Sequence, residues 1–300
     1  MKVSQALHFL SQSSFLIGTL LLVVISTRSL AAEQVTSHPK YSYLASEEVI
    51  SIEVGKQKSE VLVRSWTGKK KLGAAILFSN PGMNADSAGL QAYLRRELPH
   101  TGWATIAITP PKRVSTLNFA TAPGDISKPG EGKYNPNNGE RTPQYSKEQW
   151  INIREKQETF IADTMNQLDE IGTPYPGKRI LIATGQGAGF VISMLSKNRL
   201  TKPDVLVLIN PFMSTKHENL ELPKLLAELD IPVLDIQSAD GHIASQETKE
   251  NRRLLSPQNA PYRYRQQRML LNLNQTEAWQ TCLDLIEGFA HSINKTKLAR

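Results

Sequence analysis

The sequence predicts an α/β fold in which helices cover both faces of a mostly parallel sheet, with an antiparallel hairpin at its start. Short apolar runs of strand length alternate with segments whose apolar residues recur at helical spacing, and this alternation continues to the end of the chain. Ahead of it, β-branched residues alternate with polar ones, which is the pattern of a half-buried hairpin.

The hairpin is predicted over residues 48–54 and 59–66, because Gly55-Lys56-Gln57-Lys58 has the composition of a turn. The alternating units follow in order. Strands are predicted at residues 72–78, 103–108, 179–184, 205–209, 233–236 and 264–271, and helices at residues 89–98, 147–171, 222–229, 245–255 and 276–293. A further helix is predicted to start at residues 190–195, after a tight turn over residues 185–189.

Residues 110–147 interrupt this pattern as a long insertion. Pro, Gly and Asn recur there without periodicity, as in Asn135-Pro136-Asn137-Asn138-Gly139. A loop of this length inside a compact domain is typical either of a lid over a functional site or of a disordered segment. The sequence leaves both interpretations open.

The first 31 residues have the composition of a signal peptide. Lys2 precedes an uncharged apolar run at residues 15–25, and Ser29-Leu30-Ala31 has small residues at the spacing of a cleavage site. The mature chain would begin near Ala32 as an exported, periplasmic or secreted protein, with residues 32–300 in one domain. An uncleaved anchor is the alternative, although the run is shorter than the roughly 20 residues that a spanning helix needs. No later stretch predicts a membrane span.

Composition adds two constraints. The formal net charge is +7, and two of its cations, Lys2 and Arg28, belong to the predicted leader. A mildly basic mature chain would favour contact with anionic envelope polymers or lipid head groups. Cys282 is the single cysteine, so the chain has no intramolecular disulfide.

One glycine-rich turn stands where the chemistry of such a fold is usually found. Ala183-Thr184-Gly185-Gln186-Gly187-Ala188-Gly189 lies between a predicted strand and a predicted helix. Its glycine spacing is that of a nucleophile elbow, G-x-S-x-G, with Gly187 in the position of the serine. Two other interpretations remain: the glycines only make a tight turn, or the loop binds phosphate at a helix N-terminus.

Other stretches carry a resemblance to a known family. They are Ala75-Ile76-Leu77-Phe78-Ser79-Asn80-Pro81-Gly82, Leu94-Arg95-Arg96-Glu97-Leu98-Pro99 with Gly102-Trp103-Ala104-Thr105, and Ile231-Pro232-Val233-Leu234-Asp235. Together with the elbow, and over most of the chain from about Tyr43 onward, they resemble an uncharacterised bacterial domain-of-unknown-function family within the α/β-hydrolase superfamily. The resemblance implies an α/β-hydrolase-like fold in a secreted or periplasmic protein, and it implies no established reaction.

A hydrolase of this fold needs an acid after the strand that ends near Ile236 and a histidine after the last strand. Asp240 stands in the acid position, although an Asp-Gly pair is also a common turn signal. The stretch Asn272-Leu273-Asn274-Gln275-Thr276 after the last strand has no histidine. The nucleophile and the base are therefore missing from their usual positions.

An active serine hydrolase with a relocated nucleophile remains an alternative. Ser79 and Ser214 lie near predicted strand ends, and His242 lies two residues from Asp240. Such an enzyme would act on esters. Cys282 lies inside the last predicted helix, where a buried structural thiol is expected.

The favoured hypothesis is a catalytically inactive protein that binds a small molecule or an envelope component through the former cleft. We expect the cleft at Gly82, Met83, Asn84, Gln186, Gly187, Asp240 and His242. The histidines and carboxylates lack the close pairings that bind a metal, so no metal site and no cofactor are predicted, and no nucleic-acid partner is expected. A purely structural envelope protein is a third hypothesis.

Overall fold

A computed structural model describes residues 39–114, 145–259 and 264–298. The predicted leader and residues 115–144 of the predicted insertion lie outside the described residues. Described residues up to Ser46 belong to one compact unit, and those from Glu47 onward form a second. The sheet and the α-helices belong to the second unit.

Eight strands of the described chain form one sheet. They are β1 (Val49–Val54), β2 (Gln57–Arg64), β3 (Gly73–Phe78), β4 (Trp103–Ile108), β5 (Lys178–Thr184), β6 (Val205–Ile209), β7 (Val233–Gln237) and β8 (Tyr264–Arg268). They lie in the order β1-β2-β4-β3-β5-β6-β7-β8. β2 is antiparallel to β1 and β4, and the other neighbouring pairs are parallel. The predicted α/β class with an N-terminal hairpin is confirmed.

Helices alternate with the parallel strands. They are α1 (Leu90–Thr101), α2 (Lys147–Gly172), α3 (Gly185–Ser196), α4 (Lys216–Ala227), α5 (Ile243–Asn259) and α6 (Thr276–Leu298), with 3-10 turns at Pro39–Tyr41 and Ser46–Glu48. In the part of the chain that the structure describes, none of them is long and apolar enough to cross a membrane.

The centre of the sheet supplies the core. Every residue of β4, β6 and β7 is buried, and most of these residues are aliphatic. This is the expected composition of parallel strands that are covered on both faces. Two polar residues of β7, Asp235 and Gln237, are also buried, so their side chains need partners inside the protein.

Several elements differ from the prediction at their ends. α4 begins at Lys216 rather than near residue 222, because Thr215 and Glu218 form a capping box that starts the helix one and a half turns earlier. β8 ends at Arg268, three residues before the predicted end. The remaining apolar runs became strands and helices within a few residues of their predicted bounds, apart from α3, whose start is described with the site.

A buried ion pair joins α5 to β7, and two side chains of the polar edge strand β8 bond to its carboxylate. Arg252 of α5 and Asp235 of β7 are both fully buried, with Nε of the arginine 2.9 Å from Oδ2 of the aspartate. The Tyr264 hydroxyl donates to the same oxygen at 2.8 Å, and side-chain amides of Gln237 and Gln266 also donate to this carboxylate. Burial and the nearby Asp235 charge raise the pKa of Tyr264, so its hydroxyl stays a donor.

Replacing Arg252 by methionine would leave the Asp235 carboxylate without its cation in a site closed to water. Arg252→Met is expected to lower the free energy of unfolding by about 3–5 kcal/mol. The control Arg253→Met removes an exposed pair with Glu250 and is expected to change stability little. Urea unfolding followed by tryptophan fluorescence measures both, and equally small effects would contradict the role of the buried pair.

Candidate functional site

The parallel strands β3 to β8 end at one edge of the sheet, here called the carboxyl edge. Ligands bind at this edge in open α/β sheets. All the residues predicted for the site lie in loops or first helical turns there. Contacts between the loops bring some of these residues together. In others, they use the hydrogen-bonding groups that a ligand would need.

The sharp turn between β5 and α3 is at Gly185. β5 ends at Thr184 and α3 begins at Gly185, whose φ of +54° is left-handed. In a nucleophile elbow the serine is the residue on this turn. The prediction that Gly187 holds this position was therefore two residues too late. The small residues Ala183 and Gly187 frame Gly185 as A-x-G-x-G, so the spacing fits Gly185 as well as Gly187, and the left-handed φ selects Gly185.

Gly187 and Gly189 let the first turns of α3 pack against neighbouring loops. A methyl group at Gly187 would lie within 3.0 Å of the Ser79 carbonyl carbon, and one at Gly189 would lie 2.6 Å from Met213 Sδ. Both glycines are buried. Gly187 is a packing residue inside the protein, which corrects its predicted place on the cleft floor.

The side chain of Asn80 fills the space beside the turn. Its Oδ1 accepts a hydrogen bond from the Gln186 backbone N–H at 2.6 Å. A methyl group on Gly185 would approach this oxygen to less than 3.0 Å. In an active elbow the backbone N–H after the nucleophile belongs to the oxyanion hole. Here that donor is already bound, and a serine at Gly185 would collide with Asn80.

Beyond the turn, the Gln186 side chain joins a polar cluster. Its Nε2 donates to the Ser214 hydroxyl, which lies in the loop after β6. Nη2 of Arg154 in α2 lies 3.4 Å from the same hydroxyl. The Arg154 guanidinium is paired with Glu218 at 2.8 Å and stacks over the Phe190 ring at 4.4 Å. Ser214 is therefore held by an amide and a cation, neither of which can remove its proton.

Asp240 lies in the acid position after β7 and bonds to the loop after β8. Its Oδ1 accepts from the Leu273 backbone N–H at 3.0 Å and from the Ser238 hydroxyl at 2.6 Å. The Asn210 side-chain amide holds Ser238 in turn: its Oδ1 accepts from the Ser238 backbone N–H at 2.9 Å, and its Nδ2 donates to the Ser238 hydroxyl at 2.6 Å. Leu273 belongs to the stretch in which a hydrolase would have its histidine. The Leu273 backbone N–H bonds to Asp240 at the place of that histidine. Asp240 therefore connects the loop after β7 to the loop after β8.

The His242 ring stacks on Phe212, with ring centroids 4.0 Å apart and planes 10° from parallel. The Phe212 N–H donates to the Gly185 carbonyl at 3.2 Å. Phe212 therefore contacts both the turn and the His242 ring. Its Nδ1 accepts from the Ala244 N–H at 3.2 Å. Among the described residues, His242 has no hydrogen bond to Asp240 or to either candidate serine. The aspartate and histidine do not form a dyad.

Ser79, the other candidate nucleophile, is buried, and so is Cys282, which was expected to be a structural thiol. Ser79 directly follows β3, its side chain is covered, and its Oγ has no hydrogen-bond partner among the described residues. Cys282 is buried in α6, and burial raises the pKa of its thiol to about 12. A thiol with this pKa is protonated at neutral pH, as expected of a structural cysteine.

Gly82, Met83 and Asn84 form an exposed loop after β3. Gly82 has a left-handed φ of +81°, and its N–H donates to the Pro111 carbonyl at 2.8 Å, so the loop lies beside the residues that follow β4. The Met83 N–H donates to the Asn80 carbonyl at 3.1 Å. These three predicted residues lie next to Asn80, which the sequence pattern did not single out.

The sheet order, the elbow turn and the aspartate after β7 together define an α/β-hydrolase-like protein. Dienelactone hydrolase from Anabaena variabilis is similar, with a TM-score of 0.51 and 13% identity over 80% of this chain and 94% of that one. Est1E from Butyrivibrio proteoclasticus has a TM-score of 0.52 and 8% identity, over 83% of this chain and 99% of its own. An esterase domain from a Rhodothermus marinus protein has a TM-score of 0.50 and 11% identity, over 81% and 96%. At these identities the likeness shows the fold alone.

The chain belongs to the family described as protein of unknown function (DUF3530), whose model matches residues 26–292. The resemblance to an uncharacterised family with this fold is therefore confirmed. No curated protein matches the chain.

The contact between Gly185 and Asn80 can be measured by comparing alanine substitutions at two left-handed glycines, Gly55 and Gly185. The quantity compared is the loss in free energy of unfolding. Gly55 has a φ of +60° and no atom within 4 Å of an added methyl group, so Gly55→Ala isolates the backbone penalty, about 1–2 kcal/mol. Gly185→Ala is expected to lower the free energy of unfolding by about 1–3 kcal/mol more, because its methyl group meets Asn80. Adding Asn80→Gly should recover part of that difference in urea unfolding. Equal losses for the two alanine variants would show that Asn80 does not occupy this space.

Proposed function

We propose that this protein is a catalytically inactive α/β-hydrolase-like protein of the envelope that binds a ligand or partner at the carboxyl edge. The observation that carries the proposal is the elbow: Gly185 has no nucleophile, and Asn80 occupies both the space and the backbone donor that the reaction would use. Acyl transfer on this fold needs a nucleophile, a base and an oxyanion hole. Each of the three is absent or already occupied here.

The base is the second support for inactivity. The loop after β8 has no histidine, and the Leu273 N–H binds Asp240 where an imidazole would. The relocated alternative, Ser79 or Ser214 with His242 and Asp240, is not favoured by the contacts. Ser79 is buried, Ser214 is bonded to Gln186, and the His242 ring is stacked on Phe212.

The kind of ligand follows from the groups that remain exposed. The Gln186 N–H is bonded to Asn80. The elbow therefore has fewer free backbone donors for a phosphate or carboxylate than an open helix N-terminus has. Arg154 is paired with Glu218, which cancels the positive charge of the cluster around Ser214. These features favour a polar, uncharged ligand that hydrogen-bonds to the Gln186 and Ser214 side chains over an anion.

Export is the remaining part of the proposal, and it is supported by the leader-like residues 1–31. N-terminal sequencing of the protein recovered from producing cells is expected to begin near Ala32. An intact Met1 would contradict cleavage.

Activity-based labelling tests the inactive elbow. The unaltered protein, Ser79→Ala and Ser214→Ala are treated with a fluorophosphonate probe and assayed on short-chain esters beside an active serine esterase. We expect no labelling and no turnover for all three, because neither the Ser79 hydroxyl nor the Ser214 hydroxyl is hydrogen-bonded to a histidine ring. Labelling that Ser79→Ala or Ser214→Ala abolishes would establish an active site with that serine as nucleophile and overturn the proposal.

A further inference from the structure

An open cavity lies at the amino edge of the sheet, where the parallel strands begin, away from the elbow. Its volume is about 520 Å³, within the roughly 300–1,000 Å³ that is typical of small-molecule sites. The loop before β3, the start of β4 and the second half of α6 line it, with Lys70, Leu72, Trp103, Glu287, Gly288 and Ala290. This space is here called the amino-edge cavity.

α6 has a glycine where it lines this cavity. Glycine in the middle of a helix is destabilising relative to alanine. Gly288 nevertheless stands in the middle of α6, and no atom outside the helix backbone lies within 4 Å of a methyl group added to it. Packing inside the protein therefore does not require a glycine at this position. Its effect is to leave the cavity open.

Leu72, Trp103 and Ala290 give the cavity an apolar wall. Trp103 is buried, and a buried tryptophan usually donates a hydrogen bond from its indole N–H. The indole N–H groups of Trp66 and Trp279 donate to backbone carbonyls, whereas that of Trp103 has no partner among the described residues. A ligand in the cavity would lie against a tryptophan whose donor is unused.

Two opposite charges line the cavity without pairing. Lys70 and Glu287 both border it, and neither is ion-paired with any residue that the structure describes. Burial raises the pKa of Glu287 and the nearby Asp284 charge adds to this, whereas the Thr101 hydroxyl and the Lys70 charge act against it. The pKa stays above its usual value, so this carboxyl group would gain from a closer cation.

The neighbouring charges have other contacts. Lys71 lies over the Trp66 ring, 5.3 Å from its centroid. Asp284 accepts a hydrogen bond from Gln280 Nε2 at 2.8 Å. His291 also lines the cavity and is exposed. The lysine and carboxylate side chains that line the cavity are therefore one of each.

We propose that the amino-edge cavity binds a zwitterionic ligand with aliphatic side chains, of the size of a dipeptide. Lys70 pairs with its carboxylate, Glu287 pairs with its ammonium group, and its side chains lie against Leu72 and Trp103. Sites of this size are mostly apolar with a few placed polar groups, which is the composition found here. A dipeptide separates its two charges by about 3.3–3.6 Å more than an amino acid does, which suits two side chains that do not reach each other.

The cavity and the elbow lie at opposite edges of the sheet, so dipeptide binding and ester turnover are measured independently. Binding at the amino-edge cavity does not depend on the proposed ligand of the carboxyl edge.

Isothermal titration calorimetry tests the site with the protein as purified from producing cells. The probe is dileucine, and the comparison compounds are N-acetyl-dileucine, which lacks the ammonium group, and dileucine amide, which lacks the carboxylate. We expect dileucine to bind and each blocked compound to bind about tenfold more weakly or less, because each has lost one charge-assisted contact.

Matched variants assign the two charges. Lys70→Gln should weaken dileucine binding about tenfold and remove the preference for dileucine over its amide. Glu287→Gln should likewise remove the preference over N-acetyl-dileucine. The controls are Lys69→Gln and Glu277→Gln, which change exposed charges in the same loop and the same helix, and they should bind like the unaltered protein. An equal loss of affinity for all three compounds would contradict the assigned pairs.

The space is tested with Gly288→Leu. The leucine side chain should fill the cavity and abolish dileucine binding. The variant should fold and be at least as stable to heat as the unaltered protein, because leucine favours a helix more than glycine does and meets no neighbouring atom at its Cβ. Circular dichroism measures both the fold and the thermal stability.

Three results would overturn the proposal. They are no binding of dileucine to the unaltered protein, equal binding of dileucine and its two blocked forms, and unchanged binding of dileucine to a folded Gly288→Leu variant.

Discussion

The hydrogen bond from the Gln186 backbone N–H to the Asn80 side chain determines what the carboxyl edge can do. It joins the end of β3 to the start of α3 across the sheet and satisfies an amide that has no partner within its own helix. The left-handed Gly185 allows the bond, because any side chain there would meet the Asn80 oxygen. The Asn80 side chain thus takes the space beside the turn and also the backbone donor next to it.

The other polar groups of the edge are used in the same way. Asn210 holds Ser238, Ser238 bonds to Asp240, and Asp240 binds the backbone after β8. Groups that an active site would keep free for substrate instead connect loops to one another, and a satisfied network of this kind rigidifies its surroundings. The buried pair of Asp235 and Arg252 does the same beneath the edge, where it fixes β8 and α5 to β7. Rigid loops suit a binding surface.

The sequence predicted the sheet well and the site in part, for physical reasons. β4 and β6 were predicted to the residue, because short, mostly apolar runs of five or six residues are typical of buried strands. The elbow was located but misread by two residues, since glycine spacing fits both Gly185 and Gly187 and only the φ angle decides. Asn80 could not be found, because its partner is 106 residues away in the chain. The early start of α4 was signalled by Thr215 and Glu218, a capping box that apolar periodicity ignores.

Hydrogen exchange of the Gln186 amide tests the central claim most directly. Residues in the first turn of a helix have no intrahelical acceptor, so this amide is protected only if Asn80 binds it. We expect slow exchange in the unaltered protein and fast exchange in Asn80→Ala. The Ser238 amide, which Asn210 holds, should stay protected in both and serves as the internal reference. Fast exchange of the Gln186 amide in the unaltered protein would mean that the donor is free, and it would contradict the account of an occupied elbow.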